Sequence, residues 1–93
     1  MSLFYTDAAI ADLERLRMFI AEKNPAAAQT VGSELASRVE SLLVFPNMGT
    51  RVETAPDPEA VRDFVFGKYI VRYAVHGGVV GVLRVWHHLE NRS

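Results

Sequence analysis

The first half of the chain places apolar residues at helical spacing. Ile10, Leu13, Leu16, Phe19 and Ile20 recur at intervals of three and four, with charged residues between them. This spacing predicts an amphipathic helix over 7–23. Thr6 or Asp7 can cap its start by accepting a backbone N–H hydrogen bond.

A second helix is predicted directly after the first. Asn24 is a favourable N-cap, and Pro25 suits a first helical position because its missing N–H would be unpaired there anyway. The apolar stripe consists of Ala28, Val31, Leu35, Val39 and Leu42. The helix is expected to end near Phe45-Pro46, since a residue before proline avoids the helical region. The very short connection predicts an αα-hairpin.

The second half changes to the pattern of β-structure. Residues 46–60 are predicted as a loop with a short extended piece at Thr50–Glu53, and residues 2–5 are strand-like. Apolar runs separated by turn residues predict strands at Val61–Phe66, Tyr69–His76 and Val79–His87. The order β-α-α-β-β-β predicts a single α+β domain over 1–93. Its helical hairpin is expected to pack on one face of a small antiparallel sheet.

The Gly77-Gly78 pair predicts a type I′ hairpin, because both turn positions need positive φ. With a two-residue loop, opposed residues on the flanking strands have numbers that sum to 155. The pairs are His76/Val79, Val75/Val80, Ala74/Gly81, Tyr73/Val82, Arg72/Leu83, Val71/Arg84, Ile70/Val85, Tyr69/Trp86 and Lys68/His87. Both faces of this hairpin are largely apolar. One face would cover the helices, and the other would be an exposed patch that binds a partner.

The composition narrows the function classes. Ten Lys and Arg against eleven Asp and Glu give a net charge of −1, so no direct nucleic-acid binding is expected. The chain has no cysteine, which excludes disulfides and thiolate metal sites. We expect a cytoplasmic protein with no membrane association, since the first residues do not resemble a signal peptide and no apolar run could span a bilayer.

Two histidines are the first candidates for chemistry. Histidine is a common general acid or base, but neighbours on a strand point to opposite faces. His87 and His88 are therefore not expected to act as a pair or to chelate one metal, and no metal or cofactor site is predicted. The alternative is that His87 packs at the end of the sheet and His88 is solvated.

Arg72 and Arg84 lie in the middle of predicted strands, where a charge on an apolar face needs a counterpart. Phosphate recognition is one interpretation. We favour a protein carboxylate, either in the chain, such as Asp63, or on a partner. Tyr69 and Trp86 could stack on a nucleobase, but cross-strand packing is the simpler interpretation. No phosphate-binding loop or serine nucleophile motif is present.

Three segments together resemble the RelE/ParE superfamily of bacterial toxins. They are DAAIADLERLRMFIAEKNPAAAQ, FPNMGTR and RDFVFGKYIVRYAVHGGVVGVLRVWHH. The most useful marks are Phe45-Pro46 followed by Gly49, Arg62, Tyr69-x-x-x-Tyr73, and Leu83-Arg84-Val85-x-His87. The resemblance covers nearly the whole chain. It implies a type II toxin–antitoxin system and a fold of two helices against an antiparallel sheet.

The resemblance is stronger to ParE-like than to RelE-like members. RelE-like toxins carry a basic residue where this chain has Ile70, and often a tyrosine near the C-terminus, whereas none follows Tyr73 here. ParE-like membership implies inhibition of DNA gyrase by protein contact, with no catalytic residues. It also implies a cognate antitoxin that wraps the toxin in a hetero-oligomer.

Two alternatives stay open under this resemblance. A RelE-like mRNA endonuclease would use His87, with Arg84 and His88, as its catalytic residues. A degenerate toxin would act only as an antitoxin-binding module, and its expression without antitoxin would not stop growth. In the favoured ParE-like case, Arg72 and Arg84 are expected to receive antitoxin carboxylates. The predicted apolar contacts are Tyr69, Tyr73 and Trp86.

Overall fold

The computed structural model describes residues 2–57 and 60–90. Residues 1, 58–59 and 91–93, which the predicted domain includes, lie outside the described residues. The elements are β1 (Ser2–Tyr5), α1 (Asp7–Lys23), α2 (Pro25–Glu40), a 3₁₀ turn (Ser41–Leu43), β2 (Thr50–Arg51), β3 (Val61–Phe66), β4 (Tyr69–His76) and β5 (Val79–His87).

Side-chain caps define the helical hairpin. The Thr6 hydroxyl accepts a hydrogen bond from the Ala9 N–H at 3.1 Å and begins α1. Asn24 ends α1 and begins α2, accepting from the Ala27 N–H at 3.1 Å. Both caps confirm the predicted starts. The second helix is shorter than predicted, because the chain tightens into the 3₁₀ turn after Glu40 rather than continuing to Phe45.

The five strands form one sheet in the order β1-β5-β4-β3-β2, with the apolar sides of both helices packed against it. This confirms the α+β fold. The sheet is mixed rather than wholly antiparallel, since β1 runs parallel to β5. Parallel neighbours need a long connection, and here it runs through the helical hairpin and the other three strands. The short extended piece predicted after residue 49 is β2, which pairs with β3 through two residues.

The β4–β5 hairpin follows the predicted register only near its turn. Gly77 and Gly78 have φ of 56° and 78°, as a type I′ turn requires, and Tyr73 opposes Val82 as predicted. The predicted register is wrong beyond that point, because β5 carries an extra residue, Leu83, opposite the step from Tyr73 to Arg72. The observed pairs are Arg72/Arg84, Val71/Val85, Ile70/Trp86 and Tyr69/His87.

The main core lies between the helices and one face of the sheet. Its buried members are Ala9, Leu16, Leu35, Val39, Leu42, Phe64, Val71, Tyr73, Val80, Val82 and Val85. The second helix buries most of its predicted stripe. The first is rotated from the predicted orientation, because Asp12 is buried while Ile10 and Phe19 are exposed. The buried face of α1 thus includes the charged side chain of Asp12.

Candidate functional site

A buried carboxylate on α1 completes the edge of β5. Beyond Val82, β5 extends past the end of β1, so its outer edge lacks a strand neighbour among the described residues. Asp12, 1% exposed, fills this position. It accepts hydrogen bonds from the Val85 N–H at 2.9 Å and from Arg84 Nε and Nη2 at 2.8 and 2.9 Å. The extra residue turns Val85 into the core and leaves Arg84 at this edge.

The charge of Asp12 is compensated by two arginines. Arg15 Nη1 donates to Asp12 at 2.7 Å, in addition to the pair with Arg84. Burial by itself would raise the pKa of Asp12, but the hydrogen bonds from Arg84, Arg15 and the Val85 N–H hold it well below its usual range. Arg84, which was predicted to contact the antitoxin, is therefore paired with a carboxylate of the same chain. The helical pattern had placed that residue, Asp12, on the solvent side of α1.

The second mid-strand arginine also has an internal partner. Arg72 Nε and Nη2 donate to the two carboxylate oxygens of Asp63 at 2.8 and 2.9 Å, which is the intrachain alternative considered from sequence. The guanidinium lies 5.2 Å from the ring centroid of Trp86, a cation–π distance. Trp86 is only 7% exposed. These side chains lie on the sheet face away from the helices, which we call the open face.

Two predicted partner contacts do not lie on the open face. Tyr73 is fully buried in the main core, so its side chain is not exposed to a partner. Its hydroxyl donates to the Pro46 carbonyl at 2.8 Å and accepts from the Gly49 N–H at 2.9 Å. Tyr69 packs against the same core from the end of β4. Tyr69 and Tyr73 share one face of β4 by strand alternation, and this is the face that the helices cover. The change of register moves Trp86, which was expected opposite Tyr69, to the other face.

The loop held by Tyr73 is itself apolar and exposed. Arg62 Nη1 donates to the Gly49 carbonyl at 2.9 Å, so buried groups fix both sides of Gly49. The exposed side chains before it are Val44, Phe45 and Met48. Sequence reasoning treated this segment only as a loop. Three large apolar residues beside a proline in a short connection were the signal that was missed.

The two histidines come together at the far end of the sheet. Their ring centroids lie 4.8 Å apart at an interplanar angle of 27°, because His88 follows the last strand residue and is free of strand alternation. The prediction that the two rings point apart is therefore wrong. Tyr69 meets His87 edge-on at 5.4 Å. His87 Nδ1 accepts from the Leu89 N–H at 3.1 Å, so its proton is on Nε2 in the neutral form.

Other classes of site find little support in the described part of the chain. Over residues 2–57 and 60–90, no group of three or more His, Asp or Glu is arranged to hold a metal ion. In the same residues no helix has the length and apolarity to cross a bilayer. The described residues thus form a small α+β domain with exposed apolar side chains and internally paired charges.

Comparison with known proteins identifies the family of this domain. A family model described as the ParE toxin of the type II toxin–antitoxin system parDE matches residues 3–92. Toxin RelE1 of Caulobacter vibrioides is 35% identical over 83 residues, covering 87% of this chain and 86% of the relative. Toxin RelE2 of the same organism is 36% identical over 83 residues, covering 89% and 90%. The chain belongs to the ParE toxin family, within the RelE/ParE superfamily.

A solved structure supports the fold. The chromosomal ParDE toxin–antitoxin system from P. aeruginosa contains a chain that superposes with a TM-score of 0.76. The match covers 94% of this chain and 95% of that chain at 23% identity. The protein is thus a toxin of a type II toxin–antitoxin system, and its family implies a cognate antitoxin.

Proposed function

We propose that the protein inhibits DNA gyrase by protein–protein contact and is neutralised by its antitoxin. The observation that carries the proposal is that both mid-strand arginines are paired within the chain, Arg72 with Asp63 and Arg84 with Asp12. Cations already held by carboxylates are poorly available to the phosphates of an RNA. A surface of this kind suits a protein target in the cytoplasm, where we place the toxin.

The open face supports the same interpretation. Ile70 occupies the position at which RelE-like toxins carry a basic residue, and it lies opposite Trp86. Phe4 and Val65 add exposed apolar side chains to the face. Of the predicted partner contacts, Arg72 and Arg84 keep part of their side chains exposed, whereas Trp86 is buried beside the Arg72 guanidinium. The match to a family described by the parDE system agrees with this assignment.

The test is a gyrase supercoiling and DNA-cleavage assay with purified toxin, with and without antitoxin. We expect lost supercoiling or trapped double-strand breaks, both reversed by antitoxin. The variant His87→Ala should act on gyrase like wild type, because no chemistry by the toxin is required. A toxin that stops growth but leaves gyrase supercoiling and cleavage unchanged contradicts the proposal.

A ribosome-dependent mRNA endonuclease is the second candidate. It is favoured by the stacked His87–His88 pair beside Tyr69, and by the names of the two Caulobacter relatives. In this case ribosomes programmed with mRNA should show cleavage that His87→Ala abolishes. The matched control is His76→Ala, since His76 is an exposed histidine at the other end of β4. Equal cleavage by both variants would remove His87 from the mechanism.

A further inference from the structure

The second half of β5 is an edge of the sheet, because β1 pairs with β5 only as far as Val82. Along an edge strand, the backbone groups of alternate residues point away from the neighbouring strand. Here the groups that point away from β4 belong to Leu83, Val85 and His87. A row of such groups is a template on which a strand of another molecule can add.

Side chains from the start of the chain occupy the first of these groups. The Leu83 carbonyl accepts from the Thr6 hydroxyl at 2.9 Å, which continues the edge from the point where β1 ends. The Val85 N–H donates to the Asp12 carboxylate at 2.9 Å. Arg15 Nη2 lies 3.4 Å from the Val85 carbonyl. An incoming strand would therefore have to displace charged side chains to reach Val85.

The turn after β5 occupies the rest of this edge. Glu90 Oε1 accepts from the His87 N–H at 2.9 Å, and the Glu90 N–H donates to the His87 carbonyl at 2.9 Å. Arg15 Nη2 holds the same carboxylate, at 3.2 Å from Oε1 and 3.1 Å from Oε2. Burial by itself would raise the pKa of Glu90, but the His87 N–H and Arg15 lower it below its usual range. A second strand would meet an ionised carboxylate where it needs to place a carbonyl.

The opposite edge of the sheet is left open past β2 in the described part of the chain. The strand β2 pairs with β3 at Arg62 and Asp63 and ends there. The Val61 carbonyl accepts from the Val52 N–H on the outer side of β3, and alternation places the backbone groups of Val65 on the same side. No strand among the described residues pairs with this side of Val65, and its side chain is 64% exposed.

The two edges match each other in direction and position. The strands β3 and β5 run the same way, because each is antiparallel to β4. Their neighbours β2 and β1 cover only their first halves, so the uncovered parts lie at the same end of the sheet. A residue in a parallel strand bonds to one carbonyl and to the N–H two positions further on. The Val65 of a second copy, displaced along the sheet, would use the Val85 carbonyl and the His87 N–H in this way.

We propose that Asp12, Arg15 and Glu90 guard the outer edge of β5 against strand addition. The molecule that they exclude is a second copy of this chain, which would add its β3 through Val65. A head-to-tail contact of this kind uses two different surfaces and repeats without closing, so blocking one of the two edges prevents a filament. This role is independent of gyrase and of the antitoxin.

The test is sedimentation velocity of the purified, refolded toxin over a range of concentrations. The double variant Arg15→Ala/Glu90→Ala opens the Val85 carbonyl and the His87 N–H. We expect it to self-associate about tenfold more tightly than wild type, as two added backbone hydrogen bonds at each contact would allow. Glu90→Ala alone opens only the His87 N–H, and it should give a smaller shift of the same kind where the double variant does not fold. Sedimentation like wild type at every concentration would overturn the proposal.

Two further variants distinguish edge pairing from other causes of association. Glu14→Ala/Arg17→Ala removes an exposed ion pair of the same net charge within α1, and it should sediment like wild type. Val65→Pro removes the outward N–H of β3 but keeps the hydrogen bonds to β4, so it should reverse the association of the Glu90 variants. Association that Val65→Pro does not reverse would overturn the head-to-tail contact. Equal association of the Glu14→Ala/Arg17→Ala control would overturn the guard.

Discussion

Asp12 and Arg84 stand 72 positions apart in the chain and form a two-point ion pair, with Nε–Oδ2 and Nη2–Oδ1 distances of 2.8 and 2.9 Å. The same carboxylate accepts the Val85 N–H at 2.9 Å. The Asp12 side chain therefore accepts a backbone hydrogen bond at the edge of β5, orients Arg84 and joins α1 to β5.

Replacement of this carboxylate should be among the most costly single changes in the protein. We expect Asp12→Asn to lower the free energy of unfolding by about 3 kcal/mol, because it leaves two arginines without their counter-ion. Urea unfolding of the refolded toxin measures the change. The control is Glu14→Gln on the same helix, where an exposed pair with Arg17 should contribute less than about 1 kcal/mol. Equal losses for the two variants would contradict a special role for Asp12.

The pH dependence of stability should report the same group. The pKa of Asp12 is lowered in the folded protein, so its contribution is fully present above the ordinary carboxyl pKa of about 4. The contribution is lost as pH falls below that value. We therefore expect the difference in unfolding free energy between wild type and Asp12→Asn to shrink from about pH 5 to pH 2. A difference that stays constant over this range would contradict the ionic account.

Gly49 is predicted to be intolerant of any side chain. A Cβ atom there would lie 2.7 Å from the Asp63 carbonyl oxygen and 2.9 Å from the Tyr73 ring, and both neighbours are fixed. We expect Gly49→Ala to destabilise the protein by roughly 2 kcal/mol. Thermal unfolding of the wild type and the variant measures this loss of stability.

A second glycine provides the control for this substitution. Gly32 lies within α2, where no atom of the described residues outside the local helix backbone and the adjacent residues stands within 4 Å of an added Cβ. Gly32→Ala should raise stability by about 0.5–1 kcal/mol, since alanine loses less backbone entropy in a helix. If both substitutions were neutral, close packing around Gly49 would not be a constraint.

The hydroxyl of Tyr73 should control the order of the exposed loop. Tyr73→Phe removes the bridge between the Pro46 carbonyl and the Gly49 N–H, with an expected cost of about 1–3 kcal/mol. Faster hydrogen exchange at the Gly49 amide would register the change. Tyr5→Phe is the control, because Tyr5 also packs against the main core but lies on β1. Unchanged exchange at Gly49 would rule out this role.

Local signals explain which parts of the fold could be predicted. Thr6 and Asn24 act as caps through hydrogen bonds to backbone three residues away, and the Gly77-Gly78 turn depends on its own φ angles. Each feature is determined within a few residues. Sequence reading therefore predicted both helix starts and the turn correctly.

Long-range contacts explain what could not be predicted. The extra residue at Leu83 brings Val85 and Arg84 to Asp12, a contact between the two ends of the chain that leaves no signal in strand periodicity. Without it, Tyr69 and Trp86 were assigned to one face, and α1 was given a fully apolar inner side. The candidate site was affected most, because all of its predicted residues except Tyr73 lie beyond the shift in register.

The parallel pairing of β1 with β5 also bears on how the sheet forms. The Thr6 hydroxyl donates to the carbonyl of Leu83, a residue 77 positions later in the chain. The sheet therefore cannot close until β5 has been made. Contacts of such high sequence separation form slowly, so we expect the docking of β1 onto β5 to be a late step in folding.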